Sequence, residues 1–580
     1  MITLQEAFAL VERGELDAFG RDKIEIPERF NWAHEVFEGR HLKREPDRPA
    51  LVWADDRDHE LRLTYREFVE AGNRLLNLLR RLGLKEKQPL FVMLPVYPEV
   101  WLSYYAAIKG GFVLVPAATI LSPSDIEYRF KQLRPGAVLA DPVSAKKIDW
   151  AEMSTGQPIP IKLITGGVRP GWTSVDASRT EPTEASPAAT RSSDPLFLFF
   201  TSGTTGLPKI VTHTHTSYPI GHLTTSAWVG VKPGDVHSNI SQAGWAKFAW
   251  SSFFAPWNVG ATSFSFYYSG RFDPRHQLQA LQDHGVTTFC APPTVWRMFI
   301  LEDLSKYRFR FRECVSAGEP LNPEVIDAWR KATGVTLRDG YGQSESTLMV
   351  GNLPGREIKA GSVGFPSFLY DVRVVDEHGV EAKPEKEGNI AVHLPSHPPG
   401  LFVGYLGASP EVTAKAFRGE WYFTGDRAYR DADGRFWFVG RADDVIKSSD
   451  YRIGPFEVES ALAEHPAVAE AAVIGSPDPI RGALVKAFVI LKPGQVPSRE
   501  LARDMFLFCR TRLAHYKIPR ILEFCPELPK TISGKIRRTE LRTTETETRK
   551  RKEHLPNEFL YADVVKTEES RPAGSAPSAP

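Results

Sequence analysis

Phe68, Leu75, Leu76, Leu79 and Leu82 recur on one helical face between a polar Thr64/Glu67 pair and Gly83, so the chain predicts a capped helix over 65–82. Continuous apolar runs and helical patterns then alternate: PLFVMLP, YPEVWLSYYAAIKGG, FVLVPAA, SPSDIEYRFKQL and GAVLAD. Short apolar runs of this kind are strands buried on both faces. Their alternation with helices predicts layered α/β structure with largely parallel strands.

Residues 166–193 break the pattern. They are rich in Ser, Thr, Pro and Ala without periodicity, which predicts an exposed linker. A second α/β unit is expected over about 194–365. Beyond it, YDVRVVDEHG, GNIAVHLP and GRFWFVGR lie between Gly and Asp-Gly turns and predict a small β-rich unit ending near Gly440. The expected organisation is a large N-terminal domain over 1–440, built from two layered α/β subdomains and the β-rich one. A small α+β C-terminal cap domain would cover 441–550. The tail over 551–580 ends in RPAGSAPSAP, a composition that does not pack.

A formal net charge of +1 over 580 residues gives no global field for nucleic acid or a membrane surface, which leaves a small-molecule partner. Cys290, Cys314, Cys509 and Cys525 show no C-x-x-C spacing, so reduced thiols in a cytoplasmic enzyme are expected rather than disulfides or zinc. The N-terminal stretch lacks the basic start and apolar core of a signal peptide, and no apolar run reaches membrane-spanning length.

The strand-like PLFLFF is followed by TSGTTGLPK. Gly203 and Gly206 allow close backbone approach to a ligand, Thr201, Ser202, Thr204 and Thr205 supply donors for anionic oxygens, and Lys209 adds positive charge. The loop predicts a phosphate grip, although it is not the G-x-x-x-x-G-K-[ST] loop of P-loop NTPases.

This loop resembles the signature of the adenylate-forming superfamily, which includes acyl-CoA synthetases, luciferases and the adenylation domains of peptide synthetases. DGYGQSES at 339–346, WYFTGD at 421–426, GRADDVIKSSDYRIGPFEVE at 440–459 and PKTISGKIRR at 529–538 resemble its later motifs, in the same order. The upstream FNWAHEVFE is similar to short- and medium-chain acyl-CoA synthetases.

The resemblance implies an AMP-forming acyl-CoA synthetase with ATP and CoA as co-substrates and Mg²⁺ as cofactor. The loop at 201–209 would hold the β- and γ-phosphates, and Gly318, Glu319 and Pro320 would pass the adenine. Asp339, Gly340, Tyr341, Gly342 and Gln343 belong to the nucleotide motif, with Tyr341 offering its ring to adenine. Ser344, where relatives usually carry Thr, would donate to the α-phosphate, and Glu345 would bind Mg²⁺. Asp426 would accept the ribose hydroxyls, helped by Arg441, and Asp443 falls at the family's hinge. Lys535 matches the lysine that bridges carboxylate and α-phosphate. Arg452 would contact nucleotide phosphate, while Ser449, Asp450, Tyr451, Arg481 and Lys517 would line the CoA path. Asp450 departs from the Gly of most relatives and puts a carboxylate beside that path.

The implied acyl pocket comprises the GWAK segment (Gly244, Trp245, Ala246, Lys247), Ala317 and Gly342. Acetate-specific relatives carry Trp where this chain has Gly342, so the floor is expected to be open, admitting propionyl to medium-length chains. Lys247 either orients the substrate carboxylate or pairs with a neighbouring acid. An aryl-acid CoA ligase shares every nucleotide motif and is the alternative substrate class. A non-catalytic nucleotide-binding protein is the alternative of another kind, opposed by the joint presence of Glu345, Asp426 and Lys535. A homo-oligomer and a lysine acyltransferase acting on Lys535 are compatible with this reading.

Overall fold

The computed structural model describes residues 1–19, 24–201, 208–319, 321–449, 451–479, 481–531, 535–551 and 555–565. The chain divides into two compact units, Met1–Arg373 with Ala391–Thr424, and Val374–Ile390 with Gly425–Pro580. The second unit therefore includes segments on the N-terminal side of the break expected at 440.

The helix expected over 65–82 spans Tyr65–Arg81, and Thr64 and Glu67 form a reciprocal capping box at its start. Strands Pro89–Met93, Val113–Pro116 and Ala137–Ala140 are parallel neighbours, joined by helices Pro98–Gly110 and Pro123–Gln132. Helix Pro98–Gly110 is buried along nearly its whole length because apolar residues surround it. Its Trp101 indole donates to the Ser252 carbonyl at 2.9 Å, and its Tyr104 hydroxyl donates to the Ala243 carbonyl at 2.9 Å. Those bonds lock the first sheet's crossover helix onto the segment that carries Trp245 and Trp250.

One expectation is corrected. The α/β subdomains do not follow one another along the chain; they interleave. Strands Pro195–Thr201 and Lys209–Thr214 join the first, eight-stranded sheet, whereas Pro49–Asp55 and Glu60–Thr64 belong to the second, nine-stranded one. Apolar periodicity fixes what each segment becomes but carries no information on its sheet partner. Residues 166–193 are largely exposed, as expected, but they are tied down. Asn73 donates to the Thr183 carbonyl, Asn77 to those of Pro182 and Glu184, and Arg80 to that of Ser186, so helix Tyr65–Arg81 satisfies the backbone that periodicity left unassigned.

In the second unit, strands Val468–Asp478, Gly482–Leu491, Ile521–Phe524 and Glu558–Leu560 form one sheet, which carries the packed region past the expected boundary at 550. Tyr561, Val564 and Val565 close its core. RPAGSAPSAP lies outside the described residues. Lys486 is wholly buried, with Nζ 2.7 Å from Glu523 and 2.6 Å from both Glu545 and Glu558. The ammonium is the cation of that carboxylate cluster, so the three acids do not form a metal site. No helix among the described residues is long and apolar enough to cross a membrane.

Candidate active site

The phosphate-loop motif begins and ends on paired residues. Thr201 lies opposite Lys209 in the antiparallel pair Pro195–Thr201 and Lys209–Thr214. Ser202, Gly203, Thr204, Thr205 and Gly206 lie outside the described residues. The next strand neighbour pairs Tyr405 with Val211, which sets the Tyr405 ring 4.8 Å from Lys209 Nζ. The Tyr405 hydroxyl donates to Glu345 Oε1 at 3.0 Å. One tyrosine thus touches both the loop's lysine and the acid of DGYGQSES.

That acid sits in a tightly tied turn. His213 is fully buried, with Nε2 2.7 Å from the Ser344 carbonyl and Nδ1 2.9 Å from Ser217 Oγ. Burial lowers its pKa to about 3 and keeps the ring neutral. The carbonyl can only accept, so Nε2 bears the proton and Nδ1 accepts from Ser217. The Phe402 N–H donates to the Glu345 carbonyl at 2.8 Å. Gln343 donates to the Thr424 carbonyl at 2.9 Å and accepts from the Tyr422 hydroxyl at 3.0 Å. Ser344 and Glu345 are held from both sides by atoms outside their own motif.

Asp339 and Gly340 are buried and Tyr341 is half-buried at the end of strand Leu337–Gly342. The Asp339 carboxylate accepts from the Gly340 N–H at 2.9 Å and the Leu321 N–H at 3.3 Å. Burial nonetheless pushes its pKa up to about 7, outweighing those donors and the Lys247 charge. Glu319 lies 3.9 Å from Arg297, Gly318 takes φ 108°, and Pro320 lies outside the described residues.

Two of the residues expected in the acyl pocket are in contact. Lys247 Nζ donates to the Ala317 carbonyl at 3.2 Å, which joins the GWAK segment to the strand before Gly318. Trp245 and Ala246 are half-buried beside it. Gly342 itself leaves no room for a side chain of its own. A Cβ there would lie 2.2 Å from the Thr347 carbonyl oxygen and 2.4 Å from Cη2 of Trp250. Trp250 comes from Phe248–Phe254, a π-helical segment whose wider turn is a form often found at functional sites.

Within the second unit, Asp426 is 4% exposed and pairs across the strands with Arg441, whose Nε lies 3.4 Å from Oδ1. Gly425 takes φ 77°, a bend that a side chain would oppose. Asp443 lies in the exposed turn that follows Arg441. Ser449 takes φ 54° and donates its N–H to the Arg481 carbonyl at 2.7 Å, so two expected CoA residues meet through the backbone. Tyr451 stacks on Tyr516 at 4.3 Å, and Lys517 pairs with Glu457 at 2.6 Å. Asp450 lies outside the described residues, and of Arg452 only the backbone is described, in strand Tyr451–Ile453.

Lys535 is tied to Thr531 through its backbone. Its N–H reaches Thr531 Oγ1 at 3.0 Å, and its carbonyl accepts from the Thr531 N–H at 2.6 Å. The nearby cations are engaged: Lys530 with Glu470, Arg537 with Glu540 and Arg538 with Glu459, each at 2.7 Å. Lys535 is exposed and has no ion-pair partner among the described residues.

Residues 39–406 match the family described as AMP-binding enzyme, and 457–535 match the AMP-binding enzyme C-terminal domain. The chain belongs to the AMP-binding enzyme family. It is 49% identical to 4-hydroxybutyrate–CoA ligase 1 of Metallosphaera sedula over 96% of both chains. It is 42% identical to the mouse (Mus musculus) mitochondrial acyl-coenzyme A synthetase ACSM3, over 90% of this chain and 92% of that one. The solved anthranilate CoA ligase AuaEII, in complex with anthranoyl-AMP, superposes with a TM-score of 0.82 at 30% identity, covering 90% of this chain and 99% of that one. This AMP-binding enzyme is an acid–thiol ligase of the AMP-forming acyl-CoA synthetase kind.

The AMP-binding enzyme's donor set at Glu345 fits Mg²⁺. That ion binds through one or two carboxylates and substrate phosphate oxygens. The Tyr405 hydroxyl occupies one of about four lone-pair sites on the Glu345 carboxylate. Sequence reading missed Tyr405, His213, Trp250 and Tyr516. Tyr405 follows Gly404 in a short GY pair, and the others lie in apolar or mixed stretches where no local signal separates site from core.

Proposed function

We propose that this enzyme activates a short- to medium-chain carboxylic acid as its acyl-adenylate and then transfers the acyl group to CoA. The observation that supports it most is the Lys209–Tyr405–Glu345 contact, which joins a phosphate-binding cation to a metal-binding carboxylate. A substrate carboxylate oxygen attacks the α-phosphorus of ATP, the bond to the β-phosphate bridging oxygen breaks, and diphosphate leaves with that electron pair. Lys209 offsets charge on the leaving phosphates, and Ser344 donates to the α-phosphate. Lys535 bridges the carboxylate and phosphate oxygens as charge redistributes. Glu345 holds Mg²⁺, which when bound neutralises phosphate charge. Tyr341 and the 318–320 segment receive adenine, and Asp426 with Arg441 receives the ribose.

In the second step the CoA sulfur, having lost its proton, attacks the acyl carbon and the bond to AMP breaks. Ser449, Tyr451, Arg481 and Lys517 guide CoA, Arg452 contacts phosphate and Asp443 serves as hinge. Trp250 sets the pocket's depth, which favours the shorter end of the range, and the M. sedula relative's name adds a four-carbon hydroxy acid to the candidates. An aryl acid is the second reading, favoured by the anthranilate ligase neighbour and opposed by the indole in front of Gly342. Free cysteines support a cytoplasmic setting. The exposed Lys535 is accessible to a lysine acyltransferase, which would remove its charge. Acid-dependent exchange of labelled diphosphate into ATP tests the reading. Exchange is expected with aliphatic acids of about three to six carbons, and none with any acid contradicts it.

A further inference from the structure

The helix that follows Lys535 starts on two arginines, and both are held by carboxylates of a distant segment. Helix Arg538–Arg551 begins just beyond the lysine. Arg538 and Arg542 lie at i and i+4 on one helical face, where their like charges repel. Arg538 Nη2 donates to both carboxylate oxygens of Glu459 at 2.7 Å, and its Nη1 lies 3.7 Å from Asp444 Oδ2. Arg542 Nη1 donates to Asp444 Oδ1 at 2.5 Å. Two acids thus offset two cations. Glu459 is also tied into the sheet, because its Oε1 accepts the Val473 N–H at 2.7 Å.

Asp444 closes the turn that starts at Arg441, its N–H donating to the Arg441 carbonyl at 3.0 Å. One turn therefore carries the partner of Asp426 at one end and the helix anchor at the other. On the lysine's side, Ile536 bridges Lys530, and the Arg537 N–H donates to the Pro529 carbonyl at 2.8 Å. The Lys535 side chain itself is exposed, so its place is set by the backbone behind it. That backbone runs straight into the anchored helix. All of these groups belong to the second compact unit. Misplacing a reacting group by about 1 Å costs on the order of a hundredfold in rate, so an anchor this close to the lysine bears on its chemistry.

We propose that Asp444 is a positioning residue for adenylate formation: through Arg542 and Arg538 it fixes the helix start that sets the Lys535 turn. This rests on the role given to Lys535 under the proposed function. Asp444 acts through the lysine and takes no part in bond making.

The test uses the full-length enzyme with Asp444→Asn or Arg542→Gln, each removing one side of the contact, alone and combined with Lys535→Ala. Butanoate-dependent exchange of labelled diphosphate into ATP reads adenylate formation, and supplied butanoyl-adenylate with CoA reads the thioester step. Each single substitution should lower the exchange kcat about tenfold, as loss of one hydrogen bond between charged groups would, with KM for Mg-ATP and the thioester step near wild type. Added to Lys535→Ala, the same substitution should change exchange by less than about twofold, because no lysine is left to misplace. A merely structural pair would slow both half-reactions together or keep its full cost in Lys535→Ala. Either result overturns the positioning role, as does unchanged exchange in both single variants. Should Asp444→Asn fail to fold, Arg542→Gln, whose guanidinium is partly exposed, decides by the same readings. Full-rate exchange by Lys535→Ala alone would instead contradict the role given to the lysine itself.

Discussion

The hydroxyl of Tyr405 donates to the Glu345 carboxylate at 3.0 Å, while the other side of the site places Lys209 over the same ring. Tyr405→Phe keeps the ring and removes the bond to Glu345. The KM for Mg-ATP should rise about tenfold, in line with loss of one hydrogen bond to a charged group, with a smaller change in kcat. The Mg²⁺ activation curve should move to higher concentration. Unchanged values for both would separate Tyr405 from the nucleotide site.

Trp250 and Gly342 share one volume, so their substitutions are coupled. Trp250→Ala should move the preferred acid about two or three carbons longer and cost about 3–5 kcal/mol of stability. Gly342→Trp alone should fail to fold or lose activity, because it meets both the indole and the Thr347 backbone. Combined with Trp250→Ala it should regain part of its stability. Chain-length profiles and thermal unfolding check this, and additive effects would contradict it.

Asp339 gives a pH signature. Its folded pKa of about 7 lies above the ordinary 3.8, so between these values the native state holds a proton that the unfolded chain has released. This stabilisation is complete below about pH 4 and is lost as pH rises through about 7. Asp339→Asn cannot ionise, so its stability relative to wild type should improve by roughly 4 kcal/mol between about pH 4 and 8, whatever constant offset its amide introduces. Denaturant titrations across that range read the slope. A pH-independent difference would show that the carboxyl is ionised throughout.

Lys535 should matter for one half-reaction only. Lys535→Ala is expected to slow adenylate formation by about a hundredfold or more, while thioester formation from supplied acyl-adenylate and CoA stays near wild type. Stability should not change, because the side chain is exposed and has no ion-pair partner among the described residues. Equal loss in both halves would contradict this assignment.

Much of the local structure was legible in the sequence. The Thr64/Glu67 box, the buried runs at 89–93 and 113–116 and the turn-bounded strands are set by short-range patterns, and each formed as read. What pairs with what was not legible. Strands Pro49–Asp55 and Pro195–Thr201 lie in different sheets because their partners come from distant parts of the chain. The site shows the same split. Glu345, Asp426 and Lys535 stand in dense motifs, whereas Tyr405 and Trp250 act through neighbours 60 and 92 positions away in Glu345 and Gly342. The neighbour of Gly342 was not legible either, because a missing side chain on one strand says nothing about the indole that another segment puts beside it.

The most direct test of the account is the product balance with butanoate, Mg-ATP and CoA. AMP, diphosphate and acyl-CoA should form in equal amounts, with turnover dependent on both acid and CoA. Release of AMP and diphosphate without thioester, or formation of ADP and phosphate, would contradict it.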